Sequence, residues 1–192
     1  MSSISTFDGK IDPHSAVNWA AEVIGSFFRK HSAVHLQLVL IDPDQVVVDL
    51  FKKTLRSSGE RFAAFRGDTA RPKTDFHIRS NMMVVETTWR LKGESTRVGR
   101  SLITAGNASL FTDAKRKDNS PLAVGDVRLC SVPRDAVLYT QEGIESIIFA
   151  VGPNNNLNRP DYTNDPALHK AQLQQCYSRI LERWAEASFD SS

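Results

Sequence analysis

The feature that most constrains the fold is a near-continuous run of β-branched residues and leucine from Val34 to Ile41. Such a run is typical of a strand buried on both faces, because a strand with one face in water alternates apolar and polar residues. The chain also contains three Asp-Pro pairs, at 12–13, 42–43 and 165–166, and the second pair directly follows this run. Each aspartate is predicted to cap a helix, with the proline in the first helical position, where its missing N–H costs nothing.

The rest of the chain continues this alternation. An apolar stripe at helical spacing follows each Asp-Pro pair, and a weaker fourth helix is predicted over 98–117, interrupted at Gly106 and Asn107. Further strands are predicted at 62–65, 82–87, 127–132 and 144–151. Strands that alternate with helices predict an α/β fold with a mixed or mostly parallel central sheet flanked by helices. The length of 192 residues predicts a single domain over 1–187, with 188–192 as a frayed tail.

The composition excludes several classes of protein. Basic and acidic residues number 24 and 22, so the net charge of +2 gives no global attraction to nucleic acid or to anionic membranes. The two cysteines cannot form a disulfide scaffold, and no apolar stretch approaches the ~20 residues of a membrane helix. We expect an intracellular protein, nuclear or cytoplasmic. A nucleic-acid partner stays an alternative because of one local group of basic residues, Arg90, Lys92, Arg97 and Arg100.

No familiar catalytic or metal-binding string occurs in the sequence. The five histidines show no metal-ligand spacing, so neither a metal nor a cofactor is predicted. Two aspartates, Asp42 and Asp68, follow predicted strands, where α/β folds bind ligands. Each is either a ligand carboxylate or a cap for the local backbone. A methyltransferase-like nucleotide fold also fits this pair, although it requires a glycine-rich turn where residues 12–30 offer a capped helix.

Five strings of sequence resemble those of one family. They are the strand and "VGP" turn within 142–156, "NRPD" at 158–161, "WRLK" at 89–92, "RGDT" at 66–69 and "SSISTFD" at 2–8. Together the chain resembles the macro domain, most closely that of plant aprataxin-like proteins. In that group the "SxSTxD" loop comes first, a circular permutation of the ordinary order, and the order here is the permuted one.

The resemblance implies a three-layer fold with an ADP-ribose cleft at the strand ends. It makes Asp68 the adenine contact and places Ser5, Thr6 and Phe7 in the loop for the diphosphate and distal ribose. The ligand-binding residues implied in full are Ser5, Thr6, Phe7, Asp8, Asp68, Thr69, Ser95, Thr96, Arg97 and Val98.

The sequence also departs from the family pattern. Val85 stands where the family has an asparagine that orients the distal ribose, and Phe149 replaces the histidine before "VGP". The residues from Glu94 to Thr96 replace glycines that let backbone amides approach phosphate. These changes predict a non-catalytic recognition module that binds an ADP-ribose-like ligand weakly or binds a protein partner. The alternatives are an ADP-ribosyl hydrolase with an atypical site and a methyltransferase-like domain.

Overall fold

The computed structural model describes residues 11–32, 36–117, 120–154, 157–158 and 162–189. Its strands are β1 (Leu38–Asp42), β2 (Phe62–Arg66), β3 (Met82–Glu86), β4 (Val127–Ser131) and β5 (Ser146–Ala150). Its α-helices are α1 (Pro13–Lys30), α2 (Gln45–Thr54), α3 (Pro72–Phe76), α4 (Arg97–Thr104), α5 (Ser109–Lys117), α6 (Val137–Thr140) and α7 (Pro166–Phe189). Short 3₁₀ helices cover Arg56–Arg61 and Gly93–Ser95. Among the described helices, none is both long enough and apolar enough to cross a bilayer.

The strands form two groups within the described residues. β1 pairs with β2 in parallel, whereas β5 is the centre of the other group, parallel to β3 and antiparallel to β4. Each strand coincides with a predicted stretch, although β1 and β2 each end one residue later than predicted, and the mixed α/β class is confirmed. For β1 the structure describes only the part from Leu36 onward, and residues 33–35 lie outside it.

Two apolar clusters lie on opposite faces of the strands. Val84 belongs to the cluster that includes α1 and α7, whereas its neighbours Met83 and Val85 belong to the cluster that includes α4 and α5. Successive side chains of a strand point to opposite faces, so this alternation places the sheet between two helical layers. Both cysteines are buried, and burial raises the pKa of the Cys176 thiol.

The predicted caps are confirmed at two of the three Asp-Pro pairs. Asp12 accepts a hydrogen bond from the Ser15 amide at 2.9 Å, which lowers the pKa of its carboxyl, and Asp165 accepts from the Ala167 amide at 2.9 Å. The prediction is wrong for Asp42, because β1 continues through that residue in register with β2.

The helix after β1 begins two residues later than predicted. Asp44 is its N-cap and accepts from the Val46 amide at 2.8 Å. The buried Asp42 carboxylate instead accepts from the Asp44 amide at 2.9 Å, which fixes the turn between strand and helix.

The weak fourth helix is divided at the predicted interruption. Gly106 has a φ of 85°, a left-handed conformation that ends α4. Asn107 is buried, and its Oδ1 accepts from the Leu138 amide at 2.7 Å. Asn107 therefore joins the turn between α4 and α5 to α6.

We expect Asn107→Ala to destabilise the fold by about 1–3 kcal/mol, because the buried Leu138 amide loses its acceptor. The measurement is the free energy of unfolding in urea. Asn164→Ala, at an exposed position, is the matched control and should change stability by less than about 0.5 kcal/mol. Equal effects of the two substitutions would contradict this role of Asn107.

Candidate functional site

Two parallel strand pairs, β1 with β2 and β3 with β5, are each joined at their carboxyl ends by a backbone hydrogen bond. The Gly67 amide donates to the Asp42 carbonyl at 3.0 Å, which joins the ends of β2 and β1. The Thr87 amide donates to the Ala150 carbonyl at 2.8 Å and joins the ends of β3 and β5 in the same way. A crevice at the carboxyl ends of parallel strands is the usual ligand site of α/β folds.

Asp68 lies at the carboxyl end of β2, at the edge that we call the crevice, and is half-buried in the turn after that strand. Its Oδ1 accepts from the Ala70 amide at 2.9 Å, and its Oδ2 accepts from the Ser101 hydroxyl of α4. The turn role that the sequence allows for Asp68 is therefore present. Two carboxylate oxygens offer about four acceptor positions, so these two bonds leave acceptor capacity for a ligand.

Three of the predicted side chains are used inside the protein, two of them in hydrogen bonds to its own backbone. The buried Thr69 hydroxyl donates to the Ile41 carbonyl at 2.9 Å, and the buried Thr96 hydroxyl donates to the Glu86 carbonyl at 3.0 Å. Val98 packs in the core around α4. These residues shape the crevice, and any contact they make with a ligand would come from their backbone.

Ser95 and Arg97 flank the beginning of α4 and are exposed. The Thr96 hydroxyl caps this helix by accepting from the Gly99 amide at 3.1 Å. The first turn of a helix presents amides and the positive end of its dipole, an arrangement that favours anions. The start of α4 therefore suits a phosphate group electrostatically.

Two glycines allow the segment before α4 to fold closely onto it. A Cβ at Gly99 would lie 2.1 Å from the Gly93 carbonyl oxygen, and a Cβ at Gly93 would lie 2.6 Å from the Phe111 ring. This contact was not predicted from the sequence. A glycine inside a helical pattern was the available signal, because such a residue often marks close packing.

The departures from the family pattern have clear structural positions. Val85 is completely buried in the core, and Phe149 is buried against the Phe111 ring with centroids 5.4 Å apart. Glu94 is exposed, and its carbonyl accepts from Arg100 at 3.0 Å. Thr87, which the sequence analysis did not select, buries a hydroxyl that has no hydrogen-bond partner among the described residues.

The predicted loop of Ser5, Thr6, Phe7 and Asp8 lies outside the described residues. Its convergence with residues 93–98 on one ligand stays a prediction. The basic group predicted at the cleft mouth is exposed, with the Arg90 guanidinium 4.2 Å from the Trp89 ring centroid.

Comparisons with known proteins agree with this architecture. No protein-family model matches the chain. Over 196 residues, including 99% of this chain, it is 28% identical to "Transcription factor bHLH140" of Arabidopsis thaliana, of which it spans about a fifth (21%). The Oryza sativa APL macrodomain in complex with ADP-ribose superposes with a TM-score of 0.87 at 25% identity, covering 96% of this chain and 93% of that one. A Dictyostelium discoideum ADP-ribose binding macrodomain superposes with a TM-score of 0.71 at 20% identity, covering 93% and 86%.

We expect Gly99→Ala to destabilise the protein by about 1–3 kcal/mol, because its methyl group must displace the Gly93 backbone. Gly25→Ala in α1 is the matched control. Its added methyl group would come no closer than 3.5 Å to the Arg29 side chain, and it should stabilise the helix by about 0.5–1 kcal/mol. Urea unfolding measures both values, and effects of the same sign would refute the close packing of this turn.

Proposed function

Because the chain has the macrodomain fold, we propose that it is a non-catalytic recognition module that binds ADP-ribose or a related nucleotide weakly. The observation that carries this proposal is the position of Asp68 at the carboxyl ends of the parallel strands. The similar rice macrodomain holds ADP-ribose. Similarity to macrodomains over nearly the whole chain argues against the methyltransferase-like alternative.

Asp68 is the proposed contact for the adenine ring. Its carboxylate is held by Ala70 and Ser101, so it is already oriented before a ligand arrives. An oriented acceptor loses little side-chain entropy on binding. An adenine amino group would donate to the remaining acceptor capacity of this carboxylate, whereas hypoxanthine has no amino group to offer.

The start of α4 and the loop of Ser5, Thr6, Phe7 and Asp8 are the proposed diphosphate site. The helix amides favour phosphate, and the Gly93–Gly99 contact holds their position. Glu94 carries a negative charge at the same turn, and this charge opposes phosphate. Weak binding follows from these two opposed contributions.

Absence of catalysis is proposed from the side chains that replace polar groups of the family. The buried Val85 and Phe149 offer no hydrogen bond to orient a ribose or an attacking water. Positioning accounts for a large part of enzymatic rate. The alternative of an atypical hydrolase would therefore need another polar group to take over that task.

A protein partner is the second candidate function. Leu157 is 74% exposed in the long connection between β5 and α7, and the basic group of Arg90, Lys92, Arg97 and Arg100 is also exposed. A single exposed leucine is normal on a protein surface, so the basic group is the surface on which a partner is tested first. This candidate gains support only if ADP-ribose does not bind.

We expect calorimetric titration to show weak ADP-ribose binding, and Asp68→Ala to reduce its binding free energy by about 1–3 kcal/mol, the cost of a hydrogen bond to a charged group. Asp75→Ala is the matched control, because Asp75 is an exposed carboxylate paired with Arg71 at 3.4 Å. It should leave affinity unchanged.

Ser101→Ala separates the ligand role of Asp68 from its structural role. This substitution removes an internal partner of Asp68 without removing the acceptor itself. A clearly larger loss of affinity in Asp68→Ala than in Ser101→Ala, with similar melting temperatures, supports the proposal. Absence of heat from the wild-type protein would end the small-ligand proposal and leave the protein-partner candidate for pull-down with Arg90→Glu and Lys92→Glu.

We expect ADP-ribose to be released from a modified peptide at the same rate in the presence and in the absence of the protein. The reason is the replacement of the groups that orient ribose and water by Val85 and Phe149. Release of free ADP-ribose, followed by chromatography, measures this. Turnover that Asp68→Ala abolishes would show that the domain is a hydrolase.

A further inference from the structure

A basic surface lies at the amino edge of β1 and β2, opposite the crevice. The helix α1 ends at Lys30, ahead of β1, and the 3₁₀ helix after α2 ends at Arg61, directly before β2. A five-residue strand rises about 17 Å, so this edge is distinct from the one that carries Asp68. We call it the amino-edge surface, and its exposed basic residues are Arg29, Lys30, Lys52, Lys53 and Arg56.

Arg61 holds the parts of this surface together. Its guanidinium donates to the Phe28 carbonyl at 2.9 Å and to the His31 carbonyl at 3.1 Å, and it lies 4.3 Å from the centroid of the Phe28 ring. The end of α1 is therefore fixed beside the segment that follows α2. Arg56 is five positions before Arg61, a span of at most about 18 Å, so the cations of the two helix ends form one surface.

The two helix ends already have other hydrogen-bond donors. Basic side chains in a last helical turn commonly bind the carbonyls there, but at α1 it is Arg61 that binds two of them. At α2 the Thr54 hydroxyl donates to the Leu50 carbonyl at 2.8 Å. None of the ion pairs between described residues includes a cation of the amino-edge surface. These cations are therefore available to an anionic partner.

Few negative charges of the same segment oppose this surface. Within residues 23–61 the acidic residues are Asp42, Asp44, Asp49 and Glu60. The first two lie at the carboxyl edge of β1, and Asp49 accepts from the Gln45 side-chain amide at 2.8 Å. Glu60 is exposed and is the acid closest in sequence to Arg56. The surplus of positive charge suits a polyanion.

A partly exposed aromatic pair lies beside these cations and indicates which polyanion fits. The Phe27 and His31 rings stack with their centroids 4.4 Å apart, and both residues are half-buried. They flank Arg29 and Lys30 in the sequence. Proteins bind single-stranded nucleic acid through such a combination, because phosphates meet the cations and bases stack on the rings. Neither a lipid headgroup nor an acidic side chain offers a planar base to such a ring.

We propose that the amino-edge surface binds single-stranded nucleic acid, with backbone phosphates on its five cations and a base stacked against His31. The binding is tolerant of base sequence, because every base has a π-face and phosphate contacts carry no sequence information. The surface is separate from the crevice, so nucleic-acid binding here does not depend on ADP-ribose binding there.

The test measures the fluorescence anisotropy of a labelled oligothymidylate of about 12 nucleotides with the full chain, in about 50 mM salt. We expect saturable binding that Lys30→Ala combined with Arg56→Ala weakens by at least about tenfold. Each lost phosphate contact lowers the slope of log K against log salt by about 0.7, so this double variant should lower it by about 1.4. Lys115→Ala combined with Arg116→Ala, at exposed positions of α5, removes the same charge and should change neither value.

An abasic oligonucleotide of the same length tests the stacking step on the wild-type protein, and we expect it to bind at least about fivefold more weakly. His31→Ala removes the ring and keeps the carbonyl that Arg61 binds. It should weaken binding of the oligothymidylate alone. Absence of saturable binding, equal losses from the two double variants, or equal binding of the two oligonucleotides would overturn the proposal. Binding to phosphatidylserine vesicles without binding to the oligothymidylate would overturn it as well and assign the surface to a membrane.

Discussion

The architecture depends on side-chain hydrogen bonds that connect the two sheets at their carboxyl edge. Asp68 follows β2 in one sheet and accepts from Ser101 of α4. The cap of α4, Thr96, donates to the Glu86 carbonyl of β3 in the other sheet. Among the described residues, this chain of contacts links the two sheets at the crevice, in addition to the apolar cluster that contains side chains of both sheets. The same atoms that would meet a ligand therefore also hold the fold together.

The sequence was sufficient to predict the elements because their signals are local. The spacing of apolar residues, the prolines and the capping residues are signals that extend over a few positions. From them α1, α7 and each described strand could be located. Asp42 shows the limit of such signals. Its Asp-Pro string is identical in type to that of Asp12, yet pairing with Arg66 of β2 keeps Asp42 in the strand. That choice is made by a residue 24 positions away, so tertiary pairing decided a boundary that local chemistry left open.

The candidate site was predictable as a position and less so as a set of side-chain roles. Asp68 could be selected because it follows a strand. The hydrogen bonds that the Thr69 and Thr96 hydroxyls donate to the protein's own backbone could not be predicted. Their acceptors are the Ile41 and Glu86 carbonyls, whose directions depend on strand pairing. The Gly93–Gly99 approach is likewise a contact between two segments, so neither glycine alone revealed it.

The turn that presents Asp68 is anchored on two sides. Asp68 itself accepts from the Ser101 hydroxyl of α4, and its neighbour Thr69 donates to the Ile41 carbonyl of β1. Both partners lie far from the turn along the chain, so the orientation of the carboxylate is set by tertiary packing. Within the turn, the bond from the Ala70 amide to Asp68 fixes only the local backbone. The carboxylate is therefore oriented for a ligand only in the folded protein.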